Sequence, residues 1–149
     1  ENQGYATVRF NFRGVGKSDG EYGEMQGEID DLKSVIEWTK ATLSDCDILL
    51  AGFSFGSFIS ASVANQLPVS KLISVAPAVN HADFTQLNQI HCPWLVIQGD
   101  QDEVVPPEQV IAFASAPPSP LEFILLPGVS HFFHAKLIEL MEVIETILT

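Results

Sequence analysis

A serine with a glycine two residues to either side lies at the centre of Gly52-Phe53-Ser54-Phe55-Gly56. The apolar run 48–51 before it predicts a short buried strand, and the small and apolar residues 57–66 after it predict a packed helix. Strand, tight turn and helix with a serine at the apex is the context of a nucleophile elbow. The apex residue of such a turn is held in a strained backbone conformation, which is typical of functional sites. We expect both glycines to be needed because a Cβ at either would clash with the neighbouring strand and helix.

Two further groups that could do chemistry follow later predicted strands. Asp100 and Asp102 come directly after the apolar strand 93–99, and His131 comes after the strand 121–126. In a parallel sheet, reactive groups belong on the loops at the carboxyl ends of the strands, where these three lie. The chain order serine, aspartate, histidine is the order expected of a serine hydrolase built on such a sheet.

The chemistry of these groups assigns their roles. The hydroxyl of Ser54 is a weak nucleophile until a base removes its proton, and His131 is the predicted base. A carboxylate must hold the imidazole in the right tautomer and stabilise it when charged, and we assign this role to Asp102. Asp100 is closer to the strand end and is expected to cap or brace the loop. The backbone N–H of Phe55 is the predicted oxyanion donor.

A phosphate-binding loop and a metal site are not expected. The loop Gly14-Val15-Gly16-Lys17-Ser18 follows a strand pattern as a phosphate-binding loop would, but Asn11 stands where that motif needs its first glycine. Arg13 in this loop is expected to be structural, binding loop carbonyls or an acidic neighbour. His81, Asp83, His91 and Cys92 lack the spacing that preorganises metal ligands. We therefore predict neither a metal nor a cofactor.

The elements that must position these groups alternate along the chain. Strands are predicted at residues 5–12, 48–51, 71–76, 93–99 and 121–126, and helices at 28–42, 57–66, 106–115 and 135–148. Strands that are continuous apolar runs, separated by amphipathic helices, indicate an α/β fold with a mostly parallel sheet and helices on both faces. Residues 1–149 are predicted to form a single domain.

The composition of the chain limits the classes of molecule that it is expected to bind. The chain has 149 residues, is 46% hydrophobic and carries a net charge of −12, so it is globular and unsuited to nucleic acid or an anionic membrane. It has no run of about eighteen apolar residues that could span a bilayer. Cys46 and Cys92 show no disulfide or zinc pattern, and reduced thiols in a cytoplasmic protein are the default interpretation. A small-molecule acyl compound is the expected partner, and the oligomeric state is left open.

Five segments together carry a family resemblance, and they are distributed over nearly the whole chain: residues 9–16, 51–56, 73–77, 99–107 and 131–134. The chain resembles the α/β-hydrolase superfamily, and within it the small, lidless bacterial hydrolases related to dienelactone hydrolases and serine-peptidase-like esterases. The family's nucleophile, acid and base positions match Ser54, Asp102 and His131.

One departure from the family follows from the resemblance. Family members have a strand, a glycine-rich loop and a helix before the strand that matches residues 5–12, and that loop supplies a second oxyanion donor. Nothing in this chain matches these elements. The missing strand would lie between residues 5–12 and the elbow strand, leaving a gap of two strand spacings, roughly 9–10 Å. We therefore expect the C-terminal part of a longer hydrolase domain, with no pairing between residues 5–12 and the elbow strand.

The predicted site is open, because residues 77–92 are too few for a helical lid. Phe53, Phe55, Phe132 and Phe133 lie near it in sequence and suggest a small or medium acyl group, although Phe53 and Phe55 could equally pack beneath the elbow. Hydrolysis of a carboxylic ester through an acyl-enzyme is the leading hypothesis. A thioesterase or a peptidase-like amidase would use the same groups. A non-catalytic scaffold on a hydrolase fold is a further alternative.

Overall fold

A computed structural model of the chain describes residues 4–149. It contains four strands and four α-helices in the order α1 (Gln26–Thr42), β1 (Leu49–Phe53), α2 (Phe55–Gln66), β2 (Lys71–Val75), β3 (Trp94–Gly99), α3 (Pro107–Ser115), β4 (Glu122–Leu126) and α4 (Leu137–Leu148), with a short 3₁₀ helix (Phe84–Gln86) between β2 and β3. Each of these elements except the 3₁₀ helix was predicted from the sequence, with bounds that differ by one or two residues.

The four strands form one parallel sheet in the order β1-β2-β3-β4. Leu49 pairs with Lys71, Leu72 with Trp94, and Leu95 with Glu122. Because all four strands run the same way, their carboxyl ends meet at one edge, and the loops after β1, β3 and β4 emerge there side by side.

Helices cover both faces of the sheet, as the apolar strand pattern predicted. On one face, α1, α2 and α3 pack against every second strand residue; this core includes Ile29, Leu32, Ile36, Leu50, Ile59, Val63, Leu72, Trp94, Val96 and Val110. On the other face, α4 packs through Leu140, Val143, Ile144 and Ile147 against Ile73, Val75, Leu95 and Ile97. Side chains that alternate across a strand explain why the two cores share the same strands.

The predicted strand at residues 5–12 is not a strand in the structure. These residues have no ladder partner, and most of them are exposed. A strand needs a neighbour to bind its backbone groups, and β1 pairs only with β2 among residues 4–149. The expectation that β1 does not pair with residues 5–12 is therefore confirmed, while the strand prediction itself is wrong.

Arg13 has the structural role expected of it. Its Nε and Nη2 donate to Asp31 Oδ1 at 3.1 and 2.8 Å, and its backbone N–H donates to Asp31 Oδ2 at 2.9 Å. These hydrogen bonds hold the pKa of Asp31 below its ordinary value. The interaction fastens the loop before α1 to the helix itself.

No helix within residues 4–149 combines the length and the apolar character needed to cross a bilayer. Cys46 and Cys92 are both unpaired thiols.

Candidate active site

Ser54 lies in the turn that joins β1 directly to α2. Its φ and ψ are 52° and −114°, in a region that non-glycine residues seldom adopt. The N–H of Ser54 donates to the carbonyl of Val75 at 2.9 Å, and the hydroxyl of Ser57 donates to the carbonyl of Ser54. The strained apex is thus fixed from both the neighbouring strand and the following helix.

The two glycines beside Ser54 differ in what they allow. A Cβ at Gly52 would stand 2.2 Å from the carbonyl oxygen of Gly56 and 2.5 Å from Oγ of Ser60, so the strand and helix can approach only with glycine there. A Cβ at Gly56 would have no heavy atom within 4 Å among the described residues. The predicted clash is therefore confirmed at Gly52 and wrong at Gly56.

Asp102 is buried in the β3–α3 loop, and both of its carboxylate oxygens are bound. Oδ1 accepts from the backbone N–H groups of Val104 and Val105 at 2.8 and 2.7 Å. Oδ2 accepts from Nδ1 of His131 at 2.7 Å and from Nε2 of Gln98 at 3.0 Å. A carboxylate offers about four acceptor positions, and here four donors occupy them.

The pKa of Asp102 follows from two opposing effects. Burial raises it, because a charged carboxylate is disfavoured away from water. The hydrogen bonds from His131, Val105, Val104 and Gln98 lower it and prevail, so the pKa lies below its ordinary value of 3.8. Asp102 is therefore an anion at neutral pH, and an anion can only accept the Nδ1–H of His131, which fixes the imidazole tautomer with Nε2 free to act as a base.

His131 reaches Asp102 because two loops approach closely. A Cβ at Gly99, the last residue of β3, would stand 2.2 Å from the carbonyl oxygen of Val129. That carbonyl instead accepts from the N–H of Gln101 at 3.0 Å. The imidazole of His131 is 2% exposed, so the predicted base is held in the protein interior beside its carboxylate.

The predicted brace Asp100 also acts where expected. Its Oδ1 accepts from the N–H of Gly128 at 2.7 Å and so ties the β3–α3 loop to the loop that carries His131. His134, in contrast, is exposed and makes no hydrogen bond within residues 4–149. Among these residues there is no group of three or more His, Cys, Asp or Glu side chains that could hold a metal ion.

Phe53, the residue before Ser54, packs against His131. The ring of Phe53 lies 4.9 Å, centroid to centroid, from the imidazole of His131. No hydrogen bond joins Ser54 Oγ to His131 among the described residues. Catalytic hydrogen bonds of this kind are often long in unliganded structures and tighten when substrate binds. The structure thus brings Asp102 and His131 into contact, and it places Phe53, the residue before Ser54, against the imidazole of His131.

The predicted oxyanion donor, Phe55, is the first residue of α2. First-turn N–H groups of a helix have no partner within the helix, and no backbone carbonyl of the described residues accepts from Phe55. This N–H is available beside Ser54, together with the partial positive charge of the helix N-terminus.

Of the four phenylalanines near the site in sequence, two are exposed beside His131 and two pack against other parts of the fold. Phe53 and Phe132 are 42% and 58% exposed, and their ring centroids lie 5.8 Å apart beside His131. Phe55 instead packs against Phe12 and Tyr22, and Phe133 is buried against the α4 face. Phe53 and Phe132 therefore form an exposed aromatic surface beside His131.

Gln98 was missed by the sequence analysis. It is a fully buried amide near the end of an otherwise apolar strand, four residues before Asp102. A polar residue at a position where every neighbour is apolar was the available signal, because buried polar groups need partners.

The comparisons with known proteins agree with this architecture. The model of the X-Pro dipeptidyl-peptidase family (S15) matches residues 2–87. An α/β serine hydrolase homologue from Coxiella burnetii is 55% identical with a TM-score of 0.90, over 95% of this chain and 68% of that one. A lidless α/β serine hydrolase from Xanthomonas campestris is 42% identical with a TM-score of 0.81, over 89% of this chain and 60% of that one. The chain therefore belongs to the α/β-hydrolase superfamily, and within it to the S15 family.

Among curated proteins, an uncharacterized protein of Rickettsia prowazekii is 28% identical over 91% of this chain and 61% of its own length. An uncharacterized protein of Mycobacterium tuberculosis is 26% identical over 86% of this chain and 53% of its own length. The chain thus spans between one half and two thirds of the length of these relatives.

Proposed function

We propose that this protein is a serine hydrolase that cleaves a small or medium carboxylic ester through an acyl-enzyme. The observation that carries the proposal is the buried hydrogen bond of 2.7 Å between Asp102 and His131, in a chain that also has a strained serine on a strand-to-helix turn. Ser54 is the nucleophile, His131 the general base and Asp102 the group that orients it.

In the first half-reaction, Oγ of Ser54 attacks the ester carbonyl while Nε2 of His131 takes the hydroxyl proton. The negative charge that develops on the carbonyl oxygen is met by the N–H of Phe55. Collapse of this intermediate expels the alcohol, which takes the proton back from His131. In the second half-reaction, His131 deprotonates a water that attacks the acyl-serine, and the carboxylic acid is released.

The aromatic surroundings and the charge support the substrate class. Phe53 and Phe132 offer an exposed apolar surface next to His131, which suits an acyl chain of limited size. The 16 residues 77–92 contain only the short 3₁₀ helix Phe84–Gln86, so the proposed site is open. A net charge of −12 argues against nucleic acid or an anionic membrane as partner. Cytoplasmic location stays a prediction.

One observation favours a second candidate, hydrolysis of a peptide-like amide: the matching family model is that of X-Pro dipeptidyl-peptidases. The same nucleophile, base and oxyanion donor would serve. An amide demands more of the acid that protonates its leaving group, because an amine anion is a poorer leaving group than an alkoxide. A panel of short acyl esters, thioesters and Xaa-Pro amides, run on the full-length gene product, distinguishes the candidates.

A fluorophosphonate probe tests the proposal directly, since it forms a covalent bond with an activated serine. We expect the intact protein to be labelled, Ser54→Ala to lose the label, and Ser115→Ala, which removes an exposed hydroxyl on α3, to keep it. Folded, intact protein that stays unlabelled would instead favour a non-catalytic scaffold.

A further inference from the structure

The side chain of Gln98 is a polar group in the most buried strand of the sheet. All six residues of β3 are buried, and Gln98 has no exposed surface. Burying an amide without full hydrogen bonding is unfavourable, because the group gives up its hydrogen bonds to water. A polar residue at such a position needs an explanation beyond packing.

The contacts of the amide supply one. Its Nε2 donates to Oδ2 of Asp102 at 3.0 Å and to the carbonyl of Gly99 at 3.1 Å, and the carbonyl of Val105 lies 3.5 Å away. Its Oε1 is buried and has no hydrogen-bond partner among residues 4–149. Exchanging the two amide atoms would set Oε1 against three acceptor oxygens, so the surroundings themselves fix which atom faces Asp102.

We propose that Gln98 is a positioning residue for the hydrolase described above: its amide N–H holds Oδ2 of Asp102, the oxygen that receives the Nδ1–H of His131. This inference rests on the proposed function. The two N–H groups of Val104 and Val105 hold only Oδ1. Without Gln98, the oxygen facing His131 would be held by His131 alone.

The amide also moderates the charge of the carboxylate. Its hydrogen bond is one of those that lower the pKa of Asp102. Removing it would leave more negative charge on Oδ2, the oxygen that accepts the Nδ1–H of His131.

Other charged groups near this pair are few. Glu103 accepts from the backbone N–H of His131 at 3.3 Å through Oε2, and Asp100 binds Gly128 in the same loop. His134 and Lys136 follow in the chain toward α4, and residues 52–58 of the elbow carry no charge. None of these groups is altered by a change at position 98.

The test replaces Gln98 with methionine, which has a similar shape and no donor. The matched control is Ser74→Ala, which removes a buried hydrogen bond of 3.0 Å from Trp94 Nε1 in the neighbouring strand, away from Asp102. Each protein is assayed for kcat/KM against pH, and the low-field Nδ1–H proton of His131 is followed by NMR.

For Gln98→Met we expect kcat/KM at neutral pH to fall about tenfold, and the acid limb of its pH profile to move, because the carboxylate oxygen that faces His131 has lost a donor. The Nδ1–H signal should move downfield, because Oδ2 loses a competing donor. Ser74→Ala should leave both readouts unchanged. If the methionine variant does not fold, Gln98→Leu removes the same donor.

A folded variant with an unchanged profile and an unchanged Nδ1–H signal would overturn the role of Gln98. The NMR signal needs no turnover. If the parent protein hydrolyses nothing, the proposed function fails while the signal still decides whether Gln98 acts on the Asp102–His131 pair.

Discussion

At the scale of single residues, the site depends on a carboxylate that stays ionised although it is buried. Asp102 manages this because all four of its acceptor positions are occupied by donors from one strand, two backbone groups and one histidine. Without these donors, burial alone would raise the pKa of the carboxyl and disfavour its ionised form. The ionised form is what gives His131 its orientation, so these hydrogen bonds serve the chemistry as well as the fold.

Asp102→Asn should reduce kcat by about 10³–10⁴-fold, since an amide can present its NH₂ to Nδ1 and favour the wrong tautomer. The control is Asp100→Asn, the same change two residues away, which keeps the acceptor oxygen for Gly128 and should retain activity. Steady-state kinetics on the preferred ester of the panel measures both. Equal activity in the Asp102→Asn variant and the parent would remove Asp102 from the mechanism.

The same carboxylate makes stability depend on pH. Its pKa is lowered on folding from the ordinary 3.8, so the ionised form contributes stability that is fully present above that value and is lost as the pH falls through the folded pKa. The difference in unfolding free energy between the parent and Asp102→Asn should therefore narrow below about pH 4. Urea denaturation at pH 7 and at pH values below 4 measures it; a constant difference would contradict the shift.

At the scale of elements, the site is made by close approaches of backbone at the carboxyl edge of the sheet. Gly52 lets β1 turn straight into α2, and Gly99 lets the end of β3 contact the loop that carries His131. Each approach would be blocked by a single methyl group. The strands and helices themselves have regular geometry. The site forms because their backbones come this close at Gly52 and Gly99.

Gly52→Ala should destabilise the chain and lower the rate of fluorophosphonate labelling, because its Cβ would stand 2.2 Å from the Gly56 carbonyl oxygen and the elbow must move. Gly56→Ala, two residues beyond Ser54, should keep the labelling rate and leave stability equal or raised by about 0.5–1 kcal/mol, since alanine is the better helix former. Thermal unfolding and labelling kinetics compare the two variants. Similar losses in both would show that the close approach at Gly52 is not what matters.

Much of this architecture could be predicted from the sequence. The apolar runs located four parallel strands, and the chain order of Ser54, Asp102 and His131 placed them at the same sheet edge. The strand predicted at residues 5–12 failed because alternating β-formers express only a local preference, whereas a strand requires a partner. The bonding partner of Gln98 and the open space at Gly56 could not be foreseen, because both depend on which atoms of distant segments lie opposite.

At the scale of the whole molecule, charge is the dominant property. The chain has nineteen acidic and seven basic side chains, so its surface carries a negative potential at neutral pH. Near the site, Asp100 and Glu103 add to it. This negative potential repels anions from the proposed active site and does not act on neutral molecules.

We therefore expect kcat/KM for an anionic ester, such as a succinate monoester, to rise with ionic strength, since salt screens the repulsion within about 10 Å at 0.1 M. A neutral ester of the same alcohol and similar length should show little change between 20 and 500 mM salt, on the order of twofold or less. Initial rates across this series test the prediction. A parallel response of both esters would point to a general effect of salt on the protein.

Ser54, the proposed nucleophile, directly follows β1, and within residues 4–149 that strand is bonded along one side only. The backbone of residues 49–53 can thus still accept a ladder partner on its other side, a few ångströms from the turn that strains Ser54. Any segment that docks there and prefers one geometry of the turn must bind with a different affinity once the serine is acylated. Occupancy of that edge and the equilibrium between the free and the acylated serine would then be coupled by one and the same free energy.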